Sequence, residues 1–261
     1  GEGATIVNAS GERFLARYLP HEAVPELAPR DRVARAIHEE MLRTGAACVY
    51  LDVRGRSAEE LERRFPSLYR NCRANGVAIE KELIPIAPAA HDHCGGVWSD
   101  LTGRTSVDGL WVAGEASCTG LPGANRLAST SLLEGLVWGS SAGTAIAADV
   151  RERPFAAADV PYEPWHHGTE PVDDATVEQD WWLLRHTMWN YVALRKSATR
   201  LERALGILDE LQRGIDRFYR RARLTPSLVG LRHGTLAARL ITEASARNGR
   251  SLGCFQREDE G

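Results

Sequence analysis

The stretch from Trp111 to Gly143, WVAGEASCTGLPGANRLASTSLLEGLVWGSSAG, limits what this chain can fold into more than any other. An apolar run stops at Gly114-Glu115, a glycine-rich loop carrying one arginine, Arg126, follows, and the capping-box pattern of Ser131 and Glu134 opens a helix expected to reach about Val150. Inside that helix Gly135, Gly139 and Gly143 recur every four residues on one face. A glycine costs up to about 1 kcal/mol in a helix interior, so the pattern predicts close backbone approach along that face. A strand end, a loop holding a cation and a helix N-terminus together suit an anionic ligand, and the stretch reads as the floor of a site.

The elements before it read as a small α+β unit. Residues 1–20 alternate around Asn8, Gly11 and Glu12, which predicts two short strands joined by a turn. Val33, Ala34, Ile37, Met41 and Leu42 recur at helical spacing between Arg30 and Thr44, with Pro29 as a first-turn residue and Gly45 as the stop. Arg30 is unfavourable for the dipole of that helix, so something other than helix stability places it. Ala47–Val53 reads as a strand, and Ser57–Arg64 as a short helix capped by Ser57 and Glu60. A second helix opens at Pro66 and runs to about Ala74, and Leu83–Ala87 is a strand whose pairing is limited by Pro85 and Pro88.

From His91 the texture changes to short β runs broken by Gly95-Gly96, Thr102-Gly103 and Asp108-Gly109, which predicts three or four short strands, the last over Leu110–Ala113. Residues 151–172 hold Pro154, Pro161, Pro164 and Pro171 and read as a linker. Helices are then predicted over Ala175–Ala193, Ala198–Arg213 and Ser227–Arg247, the second with the stripe Leu201, Leu205, Leu208, Leu211, Ile215, giving a small bundle and a loop-like acidic tail. The domain reading is therefore 1–90, 91–152, a linker over 153–172, and a helical 173–261. In fold class the chain is a multi-domain mixture of α/β and α+β.

Composition narrows the partners. With 261 residues and a net charge of −3, the basic residues being scattered or paired with acids, no broad nucleic-acid footprint is expected. No apolar run approaches the roughly 18 to 20 residues that cross a bilayer, so neither a membrane nor a nucleic acid is an expected partner, and a cytoplasmic location is the default expectation. Five cysteines without a CxxC pair indicate reduced thiols and no metal site.

The segment AAHDHCGG (89–96), joined to GLWVAGEA and PGANRLASTSLLEG, resembles the flavoproteins of the succinate dehydrogenase, fumarate reductase and L-aspartate oxidase superfamily. ELAPRDRVARAI (26–37), Cys94 in HxxCGG, and NRLASTSLLE resemble the oxidase branch, and the likeness runs over almost the whole chain. The resemblance implies the C-terminal part of an FAD-binding domain, a partial capping domain over 1–90 and a C-terminal helical bundle. It implies FAD as cofactor, L-aspartate as substrate, and O2 or fumarate as electron acceptor, in the first step of NAD synthesis. Quinolinate synthase, the next enzyme of that synthesis, is an implied partner.

Residue by residue, the same resemblance makes Arg126 the group that binds a substrate carboxylate, and His91 a donor to that carboxylate. Arg30 becomes the cation near the α-carbon. Its pKa above about 12 makes electrostatic help an easier task than acting as a base. Glu115 would hydrogen-bond the ribityl chain, Ser131 and Leu132 would place a helix N-terminus near the reduced ring, and Gly95 and Gly96 would let the backbone approach that ring closely. A GxGxxG fingerprint is absent from the sequence, so the chain is expected to be a C-terminal half that neither holds FAD tightly nor turns over alone. The alternatives are a succinate- or fumarate-type flavoprotein of the same superfamily and a non-catalytic scaffold that keeps the fold.

Overall fold

Helix boundaries in this chain follow its caps. In a computed structural model, which describes residues 2–152 and 168–260, the chain divides into two units, Gly1–His91 and Asp92–Gly261.

The first unit comprises β1 (Thr5–Val7), α1 (Leu15–Tyr18), α2 (Arg30–Thr44), β2 (Val49–Asp52), α3 (Ala58–Arg64), α4 (Pro66–Ala74) and β3 (Ile84–Ile86). The strands form an antiparallel sheet in the order β1-β2-β3, with Ile6 opposite Leu51 and Pro85 opposite Tyr50. β3 is an edge strand, which is where a proline that cannot donate to a ladder is tolerated. Ser57 caps α3 by accepting the Glu60 N–H at 3.2 Å, and Gly45 ends α2 in the left-handed conformation. Pro29 sits one position earlier than expected, as the N-cap of α2.

The hairpin expected within residues 1–20 does not form. Asn8 Oδ1 accepts the N–H groups of Ser10 and Glu12 at 3.1 and 3.0 Å, and the chain then turns into α1 rather than a second strand. Phe14 and Leu15 are adjacent and both fully buried, an arrangement that a strand, with alternating faces, would forbid. They pack with Ile6, Leu19, Ile37 and Val49. Beneath them Glu40 of α2 is buried with its charge fully partnered: it accepts from Arg43, Arg17, Tyr18 and Asn8 at 2.7 to 3.0 Å.

The second unit begins with β4 (Val97–Trp98), which pairs in parallel with β5 (Ser117–Cys118). The strand expected over Leu110–Ala113 is reduced to a single bridge between Trp111 and Arg104. Thr105 N–H donates to Leu110 O and Val112 N–H to Gly103 O on either side of that bridge, while Leu110 N–H goes to the local turn at Val107 O. α5 (Thr130–Glu152) follows. Of its three glycines, only Gly135 lies against another backbone, where an added Cβ would stand 3.5 Å from Gly114 Cα. Among the described residues nothing lies within 4 Å of a Cβ added at Gly139 or Gly143. The predicted close approach therefore holds at one turn of the helix and not along its whole face.

Residues 153–167, which carry most of the expected linker, lie outside the described residues. Beyond them α6 (Asp174–Thr187) passes into a π-helical turn at Met188–Val192, so the helix expected to reach Ala193 changes its winding six residues earlier. α7 (Ala198–Arg221) and α8 (Pro226–Arg247) pack against each other and against α6. Asp173, Ser197 and Thr225 cap these helices through the N–H groups of Ala175, Arg200 and Leu228. α7 runs a further two turns past its predicted end because Ile215 and Tyr219 continue the buried stripe of Leu201, Leu208 and Leu211. Ala204 replaces Leu205 on that stripe, and Leu205 is only partly buried. Among the described residues no helix is long and apolar enough to cross a membrane.

Candidate functional site

The sequence-predicted residues fall on both units. Arg30 and His91 belong to the first. Glu115, Arg126, Ser131, Leu132, Gly95 and Gly96 belong to the second.

In the first unit Arg30 is exposed at the start of α2. The acids beside it serve other partners: Glu26 pairs with Arg13 at 2.9 Å and Asp31 with Arg35 at 2.7 Å. His91 is also exposed. A concavity of about 710 Å³ in this unit is lined by Thr5, Asp52, Arg56, Leu61, Phe65 and their neighbours, and it includes neither Arg30 nor His91.

In the second unit Arg126 is the organised centre. Its side chain is 8% exposed; Nε lies 2.8 Å from Asp92 Oδ2, Nη2 donates to Asp92 Oδ1 at 3.1 Å, and Nη1 donates to Ser131 Oγ at 3.1 Å. The Asp92 carboxylate raises the already high pKa of the guanidinium, which stays charged. Asp92 thus meets the Arg126 guanidinium with one hydrogen bond, from Nη2, and a close ion contact at Nε. Sequence reasoning missed this partner. The signal was present as an acid between two histidines in AHDHCGG, but 34 positions separate it from Arg126.

The helix start differs from the expected capping box. Ser131 lies inside α5, which begins at Thr130, and its hydroxyl accepts from Arg126 instead of closing the helix end. Glu134 is buried and accepts from the Thr119 hydroxyl. Leu132 N–H donates to Ser129 O at 3.2 Å, so this amide is not free, and Ser129 adopts a φ of 66° to make that turn. Ser131 and Glu134 thus tie α5 to the preceding loop: one through the arginine, the other through Thr119.

Glu115 is exposed in the short 3-10 turn Gly114–Ala116, and Oε1 accepts the His93 N–H at 2.7 Å. Gly95 and Gly96 have φ of 139° and 141°, and a Cβ on Gly96 would stand 2.2 Å from Ala116 O. The second glycine is thus required by the approach of its own chain, where a ligand had been expected to demand it. Cys94 Sγ lies 3.7 Å from Asp92 Oδ2; burial, and then the Asp92 charge, push its thiol up, which does not favour a nucleophilic thiolate.

These groups fit a flavin. Glu115 offers an exposed acceptor, and the start of α5 presents Leu132, Leu133 and Leu136 at 76, 65 and 71% exposure, an apolar wall beside the positive end of a helix. Residues 1–132 match the family described as FAD binding domain. The chain belongs to this family. Its likeness to individual members extends beyond the matched residues. It is 44% identical over its full length to an L-aspartate oxidase of Halobacterium salinarum, covering 48% of that protein. It is 40% identical over 97% of its length to an L-aspartate oxidase of Acinetobacter baylyi, covering 46% of that one. Among solved structures, a quinol-fumarate reductase with menaquinol molecules superposes with a TM-score of 0.80 at 29% identity, over all of this chain and 50% of that one. The chain spans about half the length of the curated relatives it matches. FAD is the cofactor of the family, and the mixed α and β architecture is the family's.

Proposed function

We propose that this chain forms the carboxylate-binding, flavin-facing part of an FAD-dependent oxidase. The whole protein would convert L-aspartate to iminoaspartate, with O2 or fumarate taking up the electrons. The observation that carries this reading is the placement of Arg126, nearly buried and held between Asp92 and Ser131 at the first turn of α5. A substrate carboxylate takes over the guanidinium edge that Asp92 occupies, gaining two parallel charge-assisted hydrogen bonds. By the resemblance, His91 would be a donor to a substrate carboxylate and Arg30 a cation that lowers the energy of charge developing near the α-carbon.

FAD, when bound, supplies the acceptor for the hydride. Glu115 would accept from its ribityl hydroxyls, the first turn of α5 at Ser131 and Leu132 would favour nearby negative charge, and Gly95 and Gly96 would allow close backbone approach. In domain terms, 1–90 acts as part of a capping domain, 91–152 as the C-terminal part of the FAD-binding domain, 153–172 as the linker, and 173–261 as a helical cover. The exposed leucines of α5 favour a face completed by cofactor and by further chain of a full-length protein, so the 261-residue chain alone would not retain FAD in stoichiometric amount. Five cysteines in the thiol form suit the reducing cytoplasm, and quinolinate synthase is the partner that would consume the product.

The test is an oxygen electrode with the full-length protein. Aspartate should drive oxygen uptake with release of hydrogen peroxide, and Arg126→Leu should lower kcat/KM by about 100-fold or more, the cost of removing one partner of a desolvated charge pair. The structural likeness to a quinol-fumarate reductase favours a second reading, a succinate- or fumarate-type flavoprotein. Turnover of succinate with none of aspartate would establish it and overturn the first.

A further inference from the structure

The loop that carries Arg126 is held in part by short-range bonds. Between Gly120 and Asn125, Leu121 N–H donates to Thr119 Oγ1 at 3.2 Å and Gly123 N–H to Gly120 O at 3.2 Å, both long bonds. What closes over this loop comes from the far end of the chain. Cys254 N–H donates to Ala124 O at 2.8 Å, and the Cys254 thiol donates to Asn125 Oδ1 at 3.2 Å. Gly253 has a φ of 59°, and a Cβ there would stand 2.2 Å from Ala124 O and 2.9 Å from Ala124 Cβ. Glycine is thus required twice over, by conformation and by space.

The turn is rigid and fastened. Leu252 and Phe255 exchange backbone hydrogen bonds at 2.9 and 3.0 Å around it. On its other side the tail is tied to the start of α7: Glu258 N–H donates to Lys196 O at 2.8 Å, Ala198 N–H to Asp259 Oδ2 at 2.6 Å, and Lys196 Nζ stands 4.8 Å over the Phe255 ring. Arg257 pairs with Asp259 at 2.8 Å and donates to Asn248 O beyond α8 at 3.1 Å. A tail that the sequence presents as an acidic loop is stapled to the helical region along most of its length.

We propose that the Gly253-Cys254 turn is the positioning element of the Arg126 loop. By fixing Ala124 O and Asn125 Oδ1, it sets where the chain enters Arg126 and so where the guanidinium points. The helical region thereby has a role in substrate binding, although none of its helices supplies a ligand-binding side chain. This rests on the reading of Arg126 as the carboxylate-binding group, and a misplacement of such a group by about 1 Å can cost about 100-fold.

Gly253→Ala, Cys254→Ala and Cys254→Ser in the full-length flavoprotein test it. The readouts are the Kd of malonate from the change in flavin absorbance, KM against kcat for aspartate, and amide exchange at Leu121 and Gly123. Gly253→Ala should raise the malonate Kd and the aspartate KM about tenfold, leave kcat within about twofold, and speed exchange at both amides about tenfold. Cys254→Ser should match the parent because its hydroxyl also donates to Asn125, whereas Cys254→Ala should lose about threefold in Kd. Unchanged exchange at Leu121 and Gly123 in a Gly253→Ala protein with the parent's helical melting temperature would overturn the proposal. If that variant does not fold, Cys254→Ala behaving like Cys254→Ser would overturn it equally. Loop exchange that responds to Gly253→Ala, beside an Arg126→Leu variant that still binds malonate normally, would overturn the carboxylate reading alone.

Discussion

Two long helices of the second unit, α5 and α7, are built on opposite plans. α7 carries one buried stripe, Leu201, Ala204, Leu208, Leu211 and Ile215, and a charged outer face. Among the described residues α5 buries only Glu134 and Ala142, while Leu132, Leu133, Leu136 and Val137 stand exposed. An amphipathic helix needs one neighbour, and α7 finds it in α8. A helix with exposed leucines on one side needs a neighbour there. The helical region thus closes its own core, whereas the start of α5 leaves leucines uncovered among the described residues.

The sharpest way to break this comparison is to truncate both helices in the 261-residue chain. Leu208→Ala, in the sealed stripe, should cost about 3 kcal/mol or more in denaturant unfolding, whereas Leu136→Ala should stay within about 0.5 kcal/mol. Equal losses would show that α5 is covered after all. The buried Glu40 of the first unit belongs with the closed plan, since every oxygen is partnered by the chain itself. Glu40→Gln should destabilise that unit by about 3 kcal/mol, because Arg17 and Arg43 lose a buried counter-charge.

The pH dependence carries the sign of that network. Hydrogen bonding from Arg43, helped by Asn8 and Tyr18 and working against burial, holds the Glu40 carboxyl at about 2, below its ordinary 4.5. A lowered carboxyl pKa contributes stability that is present in full above about pH 4.5 and is lost as pH falls toward 2. A thermal melt series from pH 6 to pH 2 should show the parent losing stability in that window and Glu40→Gln losing less. The smallest expected effect lies at the open plan. Asp92→Asn should free the Arg126 fork and tighten malonate binding to the full-length protein by about fivefold, as read by flavin absorbance. Weaker binding would instead make Asp92 a support that the arginine needs.

What the sequence by itself determined were features whose causes are local. α2 and α4 run over the residues that periodicity, Pro66 and Gly45 mark, because a helix is specified by its own stripe and ends. The same holds for the presence of α5. Tertiary structure decided the rest. Phe14 and Leu15 turn helical because both are drawn into one core, Ser131 leaves its capping role because Arg126 reaches it, and Glu134 is taken by Thr119. Asp92 reaches Arg126 across 34 positions and Cys254 reaches Asn125 across 129. No local pattern encodes such pairs, because which side chain meets a given cation, or which turn seats on a given loop, depends on where the whole chain brings them.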